Sequence, residues 1–594
     1  MPWAIGHCSP SPSRRNESVV DLRQRISPKA IRIAGYLLLT SWAAFARAQS
    51  DPDTAAKELF DHERWEELAN LGQNLSPRSP EFDYQYGIAL AHLERWNEAQ
   101  AVLLAGRRLA PHDKRFPIEM AGVAFKQKKN SQAIAYLRRA LRLDPRDAYA
   151  NDFLASLYFL QGNLEAAVKY WNRLDKAKAE AKPKPQISRV LTDPVPRVRP
   201  GLLDHAFAFS PTSALTLNQL RESESRVRAL EIFPDYRFDL AALPDGTFDA
   251  VFRGREVNGW GATKVEALLR TFHGLPFQEV TPEYFNFNGS AINMVSLIRW
   301  DADKRRLTTE ISGPMARDPR WRFRLGTDWR NENWDILPSF TGPATLLAAL
   351  NLRREAFNAE IVRLVGARWK WSVGAELSHR DYRNVAAGSV LAPQLLAQGY
   401  QLKQTTRLEY EVLNFPEHRL TLESGASSQA GRVWSQPGES FEKLQALLEA
   451  RWLPRATGDD FETRWNLRAA KTFGDMPFDE LFMLGLERDN DLWLRAHIGT
   501  RDGRKGSAPL GRNYFLSNWE TDKKVYSNGF LTLKLGPFLD TGRITDPTPQ
   551  LGSRNWLWDT GGQLKVRVLG VGAVFSYGKD LRTGNNAFYT MVGK

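Results

Sequence analysis

The chain has 594 residues, 42% of them hydrophobic and 25% charged, with a formal net charge of +13 and a mean hydropathy of -0.44. No apolar run approaches the roughly 20 residues of a membrane-crossing helix, which argues against a helical membrane protein, and the basic residues do not cluster as a nucleic-acid binder requires. The one cysteine, Cys8, leaves the remainder without a disulfide framework, a cysteine metal site or a thiol nucleophile.

Residues 1–48 read as an export signal peptide. Arg23, Arg25, Lys29 and Arg32 precede an apolar core from Ile33 to Phe45, and Ala46, Arg47 and Ala48 form a small-residue cleavage site before Gln49. The leader is long, as it would be if translation starts further downstream. Its removal takes Cys8 with it and lowers the net charge to +8, with 74 basic against 66 acidic residues.

From Asp51 to about Asp175 the apolar period is helical and the sequence repeats. Pro77, Pro111 and Pro145 are spaced by 34, as are Ala99, Ala133 and Ala167, and Gly87, Ala121 and Ala155 hold a third register. Small residues at fixed points let paired helices approach closely, and a proline ends each second helix. The segment resembles tetratricopeptide repeats, with about three and a half units and a shortened first one: Trp65 lies twelve residues before Pro77, whereas Trp96 lies fifteen before Pro111. Such solenoids commonly hold a peptide or partner on their inner face. A plain spacer arm is the alternative.

Residues 176–203 combine alternating Lys and Ala with Pro183, Pro185, Pro194, Pro196 and Pro200, the composition of a stiff extended linker. Residues 204–257 then read as a small α+β domain. The pattern predicts a strand at His205 to Phe209, a helix at about Leu215 to Phe233, and strands at Tyr236 to Leu240 and Phe248 to Arg255 joined across Pro244, Asp245 and Gly246. In "ALEIFPDYRFDL" and "PDGTFDAVFRGRE" it resembles a polypeptide-transport-associated (POTRA) domain. A generic α+β linker domain is the alternative.

After residue 258 the period changes to two. Trp321, Phe323, Leu325 and Trp329 oppose Arg322, Arg324, Asp328 and Arg330; Leu564, Val566 and Val568 oppose Gln563, Lys565 and Arg567. Strands of roughly nine to eleven residues with aromatics near both ends of one apolar face fit an antiparallel transmembrane β-barrel, lipid outside and water inside. Sixteen segments carry the pattern: 260–272, 277–287, 291–301, 304–313, 320–333, 351–366, 368–382, 399–414, 416–433, 438–453, 460–474, 512–522, 526–541, 557–569, 570–580 and 586–593. The first reads equally as a short helix over Lys264 to Phe272.

Asp475 to Gly511 is too long for a turn. Its Leu494, Arg495, Ala496 and His497 resemble the Val-Arg-Gly-aromatic motif in the sixth extracellular loop of the outer-membrane assembly and translocation barrel superfamily (bacterial surface antigens, barrel assembly factors and two-partner secretion transporters). "NWE" ending at Glu520, "PFLDTG" with Asp540, and the ending "FSYGKDLRTGNNAFYTMVG" resemble the segments that follow. The resemblance implies a loop folded back into the lumen, with Arg495 contacting Asp540 and Glu520 nearby. Alternation by itself turns Asp540 and Lys534 inward, because Leu531, Leu533, Leu535 and Leu539 take the lipid face. Two positions depart from the pattern. Ala496 replaces a glycine, and the chain ends in Gly593 and Lys594, leaving Phe588 or Tyr589 as the aromatic part of a terminal strand signal.

No HExxH, phosphate-binding glycine loop or GxSxG elbow occurs, and the nine histidines do not cluster. His205, His379, His418 and His497 read as structural or exposed. Asp489, Asn490 and Asp491 read as solvated loop residues before they read as a cation site. The expectation is therefore a non-enzyme without cofactor or metal. It sits in the bacterial outer membrane, with its N-terminal domains in the periplasm, and inserts or translocates polypeptides. Its partners are outer-membrane lipid, unfolded client polypeptides or periplasmic proteins taken by the repeats, and accessory envelope subunits; nucleic acid is not among them. A passive channel or lipid transporter, and a non-catalytic envelope scaffold, remain the rival readings.

Overall fold

A computed structural model describes residues 51–174, 185–338, 342–434, 439–548, 550–553, 555–569 and 571–593. The expected signal peptide and Lys594 lie outside the described residues. The described chain up to Leu157 forms one compact unit; residues 158–172 and those from 185 onward form the other.

In the first unit helices alternate in antiparallel pairs: α1 (Pro52–Asp61), α2 (Trp65–Asn74), α3 (Pro80–His92), α4 (Trp96–Leu109), α5 (Arg115–Lys126), α6 (Asn130–Leu143) and the start of α7 (Ala148–Leu160). The turn inside each pair is tight. It places Glu94 (φ 58°) and Lys128 (φ 60°) in the left-handed region, and Gly162 (φ 75°) takes the same place 34 residues on, where a glycine does so without strain. Ala99, Ala121, Ala133 and Ala155 are fully buried. A Cβ on Gly87 would lie 2.5 Å from the Leu103 side chain, so the small register is set by how closely α3 and α4 approach. Phe82, Leu90, Leu103, Phe116 and Met120 fill the space between the pairs.

The second unit begins with the end of α7 and with α8 (Leu164–Leu174), which sequence alone groups with the repeats. Trp171 packs on Phe248, with ring centroids 5.4 Å apart, and Lys169 Nζ donates to Glu417 at 2.8 Å. A three-stranded sheet follows in the order β1-β3-β2: β1 (Ile187–Thr192) runs parallel to β3 (Phe248–Arg255), and β2 (Asp235–Ala242) runs antiparallel to it. Helices α9 (Pro200–Ala206) and α10 (Leu217–Ala229) cross over between β1 and β2, the latter capped reciprocally by Thr216 and Gln219. Two expectations change here. The first strand is Ile187–Thr192, inside the stretch read as linker, and His205 falls in a helix rather than a strand. The prolines misled because β1 lies between Pro185, just before it, and Pro194, just after it. Phe207, Phe209, Phe238 and Phe252 form the core beneath the sheet.

The rest is a closed barrel. Its strands are β4 (Glu279–Val280), β5 (Glu283–Tyr284), β6 (Asn293–Arg299), β7 (Lys304–Met315), β8 (Asp318–Ile336), β9 (Ala348–Val365), β10 (Trp369–Arg383), β11 (Gly399–Phe415), β12 (Leu420–Trp434), β13 (Glu439–Trp452) and β14 (Phe461–Gly474). Four two-residue segments follow, β15 (Phe482–Met483), β16 (Thr500–Arg501), β17 (Arg504–Lys505) and β18 (Leu510–Gly511), of which β15 and β18 form a separate two-stranded sheet. Then come β19 (Asn513–Ser527), β20 (Leu531–Thr545), β21 (Leu557–Val568), β22 (Val571–Asp580) and β23 (Asn586–Gly593). β4 and β5 are two pieces of one strand on β6, interrupted at Thr281 and at Pro282, which has no N–H to give. β23 meets β4 to close the ring. The first of the sixteen expected segments is a helix, α11 (Lys264–Phe272), capped by Thr263.

Ladder partners share a face, and the outward face is apolar: Leu325, Trp329, Phe357, Ile361, Leu377, Leu402, Leu408 and Leu535 are all exposed large hydrophobics. Arg322, Arg354, Arg380, Lys403, Asp540 and Asp559 are buried on the inward face. An antiparallel sheet that turns Leu and Trp outward and salt-bridged charge inward has hydrocarbon as its outer solvent. Among the described residues no helix is long and apolar enough to cross a membrane.

Candidate functional site: a loop anchored inside the barrel

β14 pairs directly with β19 from Phe461↔Lys523 to Ala470↔Tyr514, so residues 475–511 leave the wall between two adjacent strands. They enter the lumen and are tied to the inner wall at three places.

The first tie is the short turn Phe478–Glu480. Glu480 accepts from Lys443 Nζ at 2.8 Å, Lys403 Nζ at 2.9 Å and Gln401 Nε2 at 3.1 Å, while Asp479 accepts from the Tyr382 hydroxyl at 2.8 Å. The second is Asp489, which meets Arg306 Nη1 at 2.6 Å, Lys505 Nζ at 2.7 Å and Arg299 Nη1 at 2.9 Å. Burial alone would push both the Glu480 and Asp489 carboxyls up. The surrounding cations outweigh it and hold both well below the ordinary carboxylate range. Asp489 is thus already charge-compensated by the protein. Among the described residues no group of three His, Cys, Asp or Glu is placed to hold a metal ion.

The third tie is the tip. Arg495 donates from Nη2 to Asp540 Oδ1 at 2.7 Å and from Nε to Asp540 Oδ2 at 2.9 Å, a bidentate pair, and its backbone N–H reaches the same Oδ2 at 3.1 Å. Nη1 donates to Glu520 and to Gln563 Oε1, each at 2.9 Å, and the guanidinium lies 4.0 Å from the centroid of the Phe538 ring. Arg495 is 2% exposed and Asp540 is 0% exposed. Ala496 N–H donates to Asp559 at 2.7 Å, and His497 Nδ1 lies 3.0 Å from the same oxygen. Burial lowers the His497 pKa, but Asp559 and Asp580 more than offset it and the net direction is up. A Cβ on Gly578 would sit 2.4 Å from Arg495 O, so this strand glycine makes room for the loop backbone. Ala496 is fully buried, and the tip accommodates its methyl group in place of the glycine. Leu494 joins Leu484, Leu492, Tyr514, Leu516 and Ile544 in an apolar cluster under the tip.

The fold thus brings Leu494, Arg495, Ala496, His497, Asp540 and Glu520 together. It separates the two terminal aromatics: Phe588 is 63% exposed on the outward face, and Tyr589 pairs with buried Ser576 on the inward one. Sequence reasoning misses Asp559, Gln563, Asp479 and Glu480, and it reads Asp489 as solvated, whereas that side chain is turned out of solvent and paired with Arg299, Arg306 and Lys505. Only inward phase along a strand marks the first two, and nothing local marks the loop acids, whose partners lie up to 190 residues away.

Residues 124–186 match the tetratricopeptide-repeat family. No curated protein sequence matches the chain. Among solved structures, CdiB from Escherichia coli is 12% identical with a TM-score of 0.42, over 69% of this chain and 74% of its own. CdiB from Acinetobacter baumannii is 10% identical with a TM-score of 0.41, over 68% and 73%. BamA from Haemophilus ducreyi lacking POTRA domains 1-3 is 11% identical with a TM-score of 0.39, over 70% and 85%. The chain thus combines helical repeats, matched to the tetratricopeptide-repeat family over residues 124–186, with a closed β-barrel whose outward face is apolar.

Proposed function

We propose that the protein inserts polypeptides into the outer membrane or passes them across it, with the repeats and the small α+β domain holding client chains on the periplasmic side. The observation that carries this reading is the pairing of a charge-anchored lumen loop with a weak closure. Arg495, Asp489 and Glu480 hold the loop on the inner wall, whereas the wall's first strand contributes only two two-residue pieces, β4 and β5. Neighbouring ladders such as β8 with β9 run from Trp321↔Arg363 to Ile336↔Ala348. A closing strand broken in this way presents only short runs of edge to β23, which makes the closure the cheapest place in the ring to open, and its free main-chain groups can template an incoming strand. Folding and lipid burial of the client supply the driving force, so no nucleotide is required.

Reconstituted into planar bilayers, the protein should be mostly closed with brief openings. A large, steady conductance from the intact chain would identify a passive channel and refute the proposal.

A further inference from the structure

Helix α11 stands where the wall closes. It lies against β4 on one side of the closure and β22 on the other. Its polar side is fixed. Glu266, 2% exposed, accepts from Arg270 Nε at 2.9 Å and from Arg255 Nη1 at 3.0 Å, and Arg270 Nη1 continues to Glu283 at 3.0 Å on the inward face of β5. Thr281 N–H donates to Thr271 O at 2.9 Å and Thr281 Oγ1 to Arg270 O at 2.7 Å, so the helix is bonded to the strand break itself.

The opposite side is bare and apolar. Val265 is 57% exposed, Leu268 60% and Phe272 45%, and Leu275 just beyond the helix is 50% exposed. At about 100° per residue these three side chains centre roughly 150° around the helix from Glu266 and Arg270. The polar side turns to the lumen face, so the apolar side turns outward. Outward-facing Ile298, Trp300, Tyr577 and Phe588 on the flanking strands are likewise exposed, so the helix prolongs the barrel's lipid-facing belt across the closure. Left in water, that combined patch would be an association liability for any protein.

We propose that α11 is a lipid-facing brace over the closure: acyl chains cover Val265, Leu268 and Phe272, and the Glu266–Arg270–Glu283 relay pins the helix to the first strand. This rests on the barrel being membrane-embedded, and not on what the barrel carries. A short amphipathic helix held this way sits in the membrane as an interfacial helix does.

The test uses Leu268→Cys in the full chain carrying Cys8→Ser, labelled with an environment-sensitive fluorophore and reconstituted in phosphatidylcholine vesicles. Leu325→Cys reports the lipid face, and Arg407→Cys, at a half-exposed position lining the lumen, reports water. Brominated acyl chains should quench the Leu268 probe as strongly as the Leu325 probe and leave the Arg407 probe bright. Adding Arg270→Ala should raise quenching by aqueous iodide at the Leu268 probe alone. Quenching of that probe by iodide and not by brominated lipid would overturn the proposal. Because no client is present, failure here is distinct from failure of the transport reading.

Discussion

Arg495→Ala isolates the loop tip from the rest of the barrel. The substitution deletes the bidentate contact with Asp540 and the bonds to Glu520 and Gln563, and leaves Asp540 without its counter-charge at a position with no solvent exposure. Removing one partner of a buried ion pair costs about 3–5 kcal/mol, because the remaining charge stays uncompensated. Asn518 Nδ2, at 2.8 Å from Asp540, and the backbone N–H of position 495, at 3.1 Å, still donate to the carboxylate and place the loss near the lower end of that range. At about 1.4 kcal/mol per decade, the detached population of the tip should rise by about two orders of magnitude. The ties at Glu480 and Asp489 do not depend on Arg495, so the barrel should keep its heat-modifiable gel mobility. Hydrogen exchange at residues 494–498 is the direct assay. Unchanged protection there, or loss of the folded barrel together with the tip, would refute the assignment of the three ties as separable anchors.

The remaining predictions concern neighbouring devices. The raised His497 pKa means that its contribution is complete below the ordinary imidazole value of about 6.5 and is lost as pH rises through the higher folded value. Protease protection of the tip should fall over that rise and should not change in His497→Gln; a change of opposite sign contradicts the Asp559 pairing. Gly578→Val puts a branched side chain where a Cβ already meets Arg495 O at 2.4 Å, and should expel the tip at a cost of about 1–3 kcal/mol, read again by hydrogen exchange. Gly87→Leu should lower the thermal midpoint of the repeat unit, since even a Cβ lies 2.5 Å from Leu103, while barrel mobility on a gel stays unchanged.

The two periods in the sequence reveal the architecture because each is enforced at every turn. A residue one place out of register in β20 would turn Asp540 to hydrocarbon, and a larger side chain at Ala99 or Ala133 would separate the repeat helices. Three kinds of feature escape this reading. β1 is short and is followed directly by prolines, so composition masked its ladder to β3. α11 repeats apolar residues at Val265, Leu268 and Phe272 in a stretch too short for period to decide, and only its place at the closure gives the pattern meaning. The anchors at Asp489 and Glu480 depend on cations from β6, β7, β11 and β13, which closure of the ring brings to one place. No spacing along the chain records that convergence.

A client strand on its way into or across the membrane should pair at the weak closure. A photo-crosslinking residue at Val280, whose partner on β6 is Ile298, measures this directly in intact envelopes. Adducts should form with newly exported, not yet folded polypeptides, and the same residue at Val373 in mid-wall should give none. Adducts only with lipid and with the barrel's own last strand would contradict that pairing.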